Sequence, residues 1–167
     1  LAPVAPLIFG SYETEEVRLR GSNAWDLAAN LSHTDLSMYV GDGDGMDNES
    51  MVKEEAVAMH DRLNDLQIPH NWQAYGAGSH TWFYFSRDLT EWLPLLMDYF
   101  NARDTAVPTS FTYVSIASTY NVYDWSVEVD RTALEFSALE VSGAGNFSVI
   151  GSGAATVVTG ALYQPGH

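Results

Sequence analysis

Apolar positions along this chain follow two regimes. Up to about residue 100 they recur every three to four residues, and from about residue 108 they alternate with polar ones. Between Ser50 and Leu66, the residues Val52, Ala56, Met59, Leu63 and Leu66 are spaced 4, 3, 4 and 3 apart. That is the stripe of an amphipathic helix, and Pro69 blocks its continuation. Leu89, Leu93, Leu96 and Phe100 make a second stripe. Asp88 and Glu91 stand at capping-box spacing before it, and Pro94 inside it predicts a kink or a late start. "GSNAWDLAANL" predicts a turn at Gly21-Ser22-Asn23 and a short helix that buries Trp25, Ala28 and Leu31. The rest of residues 1–35 reads as irregular.

Two strands lie between these helices. "LSMYVG", Leu36 to Gly41, is a β-rich run that stops at glycine, and "NWQAYG", Asn71 to Gly76, alternates. Helix–strand–helix–strand–helix is the order of an α/β sheet with parallel strands. "NARDTAVPTS" marks the change of regime. After it, "FTYVSI", "VYDWSVEV", "LEFSALEV", "NFSVIG" and "ATVVTGALY" are five strand candidates between turn signals. The pattern therefore divides the chain into an α/β part, residues 1–103, and a small β-rich module, residues 108–167.

Composition narrows the function classes. Of 167 residues 46% are hydrophobic and 17% charged, which describes a globular protein. The formal net charge is −15 with only 7 basic residues, which argues against nucleic acid and anionic membrane as partners, since both need a basic footprint. Cysteine is absent, so disulfides, thiolate nucleophiles and cysteine-ligated zinc are excluded. No apolar run reaches the length of a transmembrane span. The opening "LAPVAPLIFG" lacks the basic n-region and apolar core of a signal peptide. With the closing "YQPGH", it reads as part of a longer polypeptide.

The candidate chemistry centres on His80, in "YGAGSHTWFYF". It lies past the carboxyl end of a predicted strand, where open α/β sheets place ligands and catalytic groups. A loop imidazole there can shuttle protons near neutral pH. An ordinary solvent-exposed loop histidine is the plainer alternative. Asp42, Asp44, Asp47 and Glu49 follow the preceding strand, and a carboxylate among them would orient the imidazole as the acid of a hydrolase triad does. The order strand, acid loop, helix, strand, histidine loop, helix is that of the back half of an α/β-hydrolase. Calcium is the rival use of "DGDGMDNESMVK". However, Met46 stands at the fifth EF-hand position and Lys53 at the twelfth, where a bidentate Glu belongs. His33, His60, His70 and His167 read as surface residues without assigned chemistry. Trp82 reads either as core packing or as a residue lining a sugar or acyl site.

One part is missing. A triad hydrolase carries its nucleophile in a G-x-S-x-G elbow, and no serine here has glycines two residues away on both sides. Two parallel strands alone leave apolar faces and edges uncovered.

"MYVGDGD", "NESMVKEEAVAMHDRL" and "GAGSHTWFYFSRDLTEWLPLL" together resemble the C-terminal half of the esterase/mycolyltransferase (antigen 85-like) family of α/β-hydrolases. The family's Gly-x-His-x-Trp-x-Tyr-Trp motif is matched by "GSHTWFYF", Gly78 to Phe85, with Phe85 where Trp is usual. The resemblance covers about residues 21–101. It implies His80 as catalytic base and Glu49 as triad acid by ungapped alignment of the helix; Trp82 is the substrate-binding candidate from its place two residues after His80. The β-rich module looks like the C-terminal extension of actinobacterial members. The implied fold is the C-terminal half of an α/β-hydrolase sheet followed by a small all-β module.

The implied function is part of a secreted serine esterase or acyltransferase of the cell envelope, acting on acyl esters such as mycolyl or other lipid esters of trehalose. The implied partners are the N-terminal half of the hydrolase, which carries the nucleophile, and an acyl ester or glycolipid. No metal or organic cofactor is required. A non-catalytic envelope protein that uses the same fold for binding is the alternative, and a calcium-dependent adhesive module is a third reading.

Overall fold

The computed structural model describes residues 10–43, 49–102, 107–143 and 145–160, with only the backbone of Glu49 and Ser50. In chain order the elements are α1 (Tyr12–Arg20), a 3-10 turn (Ala28–Leu31), β1 (Ser37–Val40), α2 (Glu49–Asp65), β2 (Asn71–Ala74), α3 (Trp82–Ala102), β3 (Ser110–Ser115), β4 (Thr119–Val122), β5 (Trp125–Asp130), β6 (Ser137–Ser142), β7 (Phe147–Ile150) and β8 (Ala154–Val158). Helices and strands are both present, so the fold is mixed α/β. The chain forms two compact units. One holds residues 34–102, and the other holds residues 10–33 together with 107–160.

In the first unit β1 and β2 pair in parallel, Ser37 with Asn71 through Val40 with Ala74. Side chains alternate across a strand. Met38 and Trp72 therefore share one face, while Ser37, Tyr39, Asn71 and Gln73 share the other. His60 of α2 stacks on Trp72 at 4.4 Å and 12°, which places α2 on the Met38 face. Leu89 and Trp92 of α3 line a pocket with Ser37 and Tyr39, which places α3 on the opposite face. The two helices thus sandwich the pair of strands, as in a doubly wound sheet.

Helix α2 ends in a Schellman motif. Ile68 N–H bonds Leu63 O at 2.9 Å and Gln67 N–H bonds Asn64 O at 2.9 Å. Gln67 takes the left-handed turn at φ 56°, a position that favours glycine. Leu63 and Ile68, the residues that close such a motif with an apolar contact, are both buried. Helix α3 begins at Trp82, six residues before Asp88, and runs unbroken for 21 residues through Pro94. The expected capping box and late start are therefore absent. The aromatic run Trp82–Phe85 winds as helix, so Asp88 lies inside it.

The second unit is built on alternation. Two three-stranded antiparallel sheets, in the orders β3-β6-β7 and β4-β5-β8, share one core. Phe111, Tyr120, Trp125, Val127, Val129, Leu139 and Val141 fill it. Among the described residues the module has six strands where the sequence pattern predicts five. "VYDWSVEV" is not one strand: Val122 pairs with Trp125, so Tyr123 and Asp124 form a tight hairpin turn, with Tyr123 at φ 52°.

Residues 12–20 also depart from the expected irregularity. Helix α1 has no buried residue. It has glutamates in its first turn and arginines in its last, the arrangement its dipole favours. Arg18 pairs with Glu15 at 2.8 Å and Arg20 with Asp26 at 2.9 Å. The predicted short helix after Gly21 is reduced to the 3-10 turn, which buries Ala28, and Trp25 before it is exposed. Asn30 in that turn brackets β3: its amide donates to Val114 O at 2.9 Å, and its oxygen accepts Val114 N–H at 2.7 Å.

Candidate functional site

The site lies where both parallel strands end. Beyond β2 the chain runs Tyr75, Gly76, Ala77, Gly78, Ser79 and His80 before α3 begins. Beyond β1 it enters the acidic loop through Gly41, Asp42 and Gly43. These two loops are joined by their backbones. Tyr75 N–H bonds Val40 O at 3.0 Å, Asp42 N–H bonds Gly76 O at 2.6 Å, and Gly43 N–H bonds Gly78 O at 2.8 Å. Gly43 and Gly76 adopt φ of 81° and 72°, conformations that glycine takes without steric cost. Gly78 is buried. A Cβ on it would come within 2.3 Å of the Tyr75 ring.

His80 itself is exposed on this rim, its ring edge-on to Phe85 at 5.7 Å. Trp82 is 83% exposed and edge-on to the same Phe85 at 6.0 Å. Trp82 is therefore not packed into a core of the described residues. Its indole stands in the open beside the histidine loop.

The acid candidates separate. The Asp42 carboxylate is engaged by the Lys53 ammonium of α2. Asp44 and Asp47 lie outside the described residues. So does the carboxylate of Glu49, whose backbone opens α2. The calcium reading rests on the same acidic loop, most of which is outside the described residues. Among the described residues, no group of three or more His, Asp or Glu side chains could hold a metal ion.

Behind the histidine loop stands a polar cluster that sequence reasoning missed. The Tyr75 hydroxyl donates to Asp88 Oδ2 at 3.2 Å, and Arg87 Nε donates to Asp88 Oδ1 at 3.0 Å. The Arg87 guanidinium sits 3.5 Å above the Tyr75 ring, a cation–π contact. Tyr75 and Tyr84 stack at 5.7 Å and 9°. Burial, followed by the charge and hydrogen bond of Asp88, holds the Tyr75 phenol above its usual range. The Asp88 hydrogen bond likewise raises Arg87. This cluster anchors the first turns of α3 to the end of β2, and so fixes where the histidine loop leaves the sheet. The only hint in the sequence was "YG" and "RD" twelve residues apart, which is no recognised spacing.

His60 and His70, expected as surface residues, are instead half-buried partners. His70 Nδ1–H donates to Ile68 O at 2.8 Å, because a carbonyl can only accept. His70 Nε2 then accepts His60 Nδ1–H at 2.7 Å, and His60 Nε2 accepts the Asn64 amide at 3.1 Å. They tie α2 to the start of β2, at the opposite end of the sheet from His80. His33 bonds Ser110 O at 2.9 Å in the other unit.

Among the described residues, no helix is long and apolar enough to cross a membrane. Compared with protein-family models, with curated proteins and with solved structures, the chain matches none.

Proposed function

We propose that this chain is the histidine-bearing portion of a serine acyl hydrolase or acyltransferase of the α/β-hydrolase type, with the nucleophile supplied by another polypeptide portion. One observation carries the reading. The acid loop and the histidine loop leave adjacent parallel strands at their carboxyl ends and are joined there, backbone to backbone, at Gly41–Gly43 and Gly76–Gly78. That arrangement starts the acidic segment beside the loop that carries an exposed imidazole, and so supports a triad reading. The helices on both faces of the strand pair support the same reading.

In this proposal a serine Oγ attacks the acyl carbon of an ester. His80 accepts the hydroxyl proton as the new C–O bond forms. It returns that proton to the departing alkoxide as the old ester bond breaks. Water or a sugar hydroxyl then enters by the reverse path and releases the acyl group. Glu49 is the proposed acid that steadies the imidazolium, and Trp82 the proposed contact for the acyl or sugar part of a lipid ester. An extracellular or envelope location belongs to the same proposal.

The test is labelling with a fluorophosphonate probe, applied to the whole polypeptide that carries this chain. Labelling of one serine, lost on His80→Ala and retained on His70→Ala, supports the proposal. A polypeptide that takes no label in either form sinks it in favour of the non-catalytic binding reading.

A further inference from the structure

The four ring nitrogens of His60 and His70 divide into an outer and an inner pair. The outer ones face protein oxygen or amide: His70 Nδ1–H donates to Ile68 O at 2.8 Å, and His60 Nε2 meets the Asn64 amide at 3.1 Å. The inner ones, His60 Nδ1 and His70 Nε2, face each other at 2.7 Å. One proton lies between these two nitrogens.

Histidines that ligate metals have this form. Such a ring almost always donates its other N–H to an oxygen, which fixes its orientation and tautomer. Ile68 O already serves His70 in this way. Asn64 can serve His60, because it is exposed and its amide can turn to present oxygen in place of nitrogen. The His60 proton then moves from Nδ1 to Nε2, where Asn64 Oδ1 accepts it. No proton leaves, both rings stay neutral, and both inner lone pairs are open to a cation.

The rings are also held from behind. His60 stacks on Trp72 at 4.4 Å and 12°. Ile68, whose carbonyl orients His70, is buried and bonded through its N–H to Leu63 O in the turn that ends α2. His70 is followed at once by β2. The two ligands thus come from separate elements whose relative placement is already fixed.

The spacing bears on which ion fits. Two imidazole nitrogens, each about 2.0 Å from one metal, lie about 3.3 Å apart at a tetrahedral angle and about 2.8 Å apart at a right angle. The observed 2.7 Å is nearer the second, the cis arrangement of tetragonal copper(II) or nickel(II). Of the two, copper(II) binds nitrogen ligands more tightly. Each ring must tip off the line between the inner nitrogens so that both lone pairs meet at the ion. Both histidines are half-buried, so solvent reaches the remaining coordination positions. Two histidines are fewer than the ligands of a zinc centre, in keeping with the lack of any larger ligand group among the described residues. A net charge of −15 draws cations to the chain in general.

We infer that His60 and His70 form a two-histidine site for a divalent transition metal, copper(II) by preference. The ion replaces the hydrogen bond between the rings and cross-links the end of α2 to the start of β2. The site lies at the opposite end of the sheet from His80, and the inference does not depend on the hydrolase reading.

The test titrates copper(II) chloride into the whole polypeptide that carries this chain, with its histidine rings labelled with nitrogen-15. Paramagnetic broadening shows which rings meet the ion, and it needs no variant that could fail to fold. The expected result is joint loss of the His60 and His70 resonances, ahead of those of His33 and His80. Electron paramagnetic resonance is expected to show coupling to two imidazole nitrogens. Affinity is expected to fall at least about tenfold on His70→Gln. It should fall about tenfold on Asn64→Ala, which removes the outer partner of His60 and leaves both ligands in place. Broadening led by His33, His80 or His167, coupling to a single nitrogen, or an affinity indifferent to either variant means an adventitious ion only and overturns the inference.

Discussion

Gly41 and Gly78 meet so closely that a Cβ on Gly41 would lie 2.6 Å from the carbonyl oxygen of Gly78. The obstacle is backbone on both sides, so no side chain can swing away. Gly41→Ala is expected to destabilise residues 34–102 by about 1–3 kcal/mol, the range for overpacking. Denaturant unfolding measures it. Under the proposed function, serine labelling that depends on His80 should fall in parallel, because the two loops part. An alanine variant as stable as the parent would show that the junction is slack.

Gln67 holds the left-handed position of the turn that ends α2. A side chain there costs about 1–2 kcal/mol, and glycine avoids that cost while losing some entropy. Gln67→Gly is therefore expected to stabilise the protein by about 0.5–1 kcal/mol net. A higher thermal midpoint checks it, and Gln67→Ala, which keeps a Cβ, should show no such gain.

The Tyr75 phenol titrates above its ordinary range because burial and Asp88 disfavour the phenolate. The folded state thus keeps this proton to higher pH than the unfolded chain does. The stability this confers is complete below about pH 10, the ordinary tyrosine value, and is lost as pH rises through the folded value. Asp88→Asn removes the carboxylate charge and should bring the Tyr75 titration down. Tyrosinate absorbance, with Tyr75→Phe as the blank, reads the change. An unmoved titration would remove Asp88 as a cause.

Particular residues show what could be read from the sequence. The stripe from Val52 to Leu66 predicted α2 within a residue or two at either end, because period and burial coincide at Leu63. The two parallel strands were legible from their β-rich runs, which stop at or just before Gly41 and Gly76. Helix α1 was not, since its stabilising pattern is charge at its ends and between its turns, with no apolar stripe to betray it. The Tyr123–Asp124 turn carries no glycine, so nothing in "VYDWSVEV" announced a break. Pro94 does not end α3. It removes the bond to Thr90 O on an exposed stretch, where water can serve that carbonyl. The neighbourhood of Gly41 and Gly78 depends on two segments far apart in sequence, and no local pattern encodes it. For the candidate site, His80 and its rim position were legible, whereas the cluster of Tyr75, Arg87 and Asp88 was not.

The bracket that Asn30 places on Val114 spans 84 positions of chain. Closing so long a ring from a loose chain costs about 4 kcal/mol in entropy alone, more than two hydrogen bonds return. The ring shortens sharply once the segment between its ends has already condensed. An α/β unit that folds first would lower the barrier to completing the β unit, and the amide clasp would then be a lock that engages after its contents are in place.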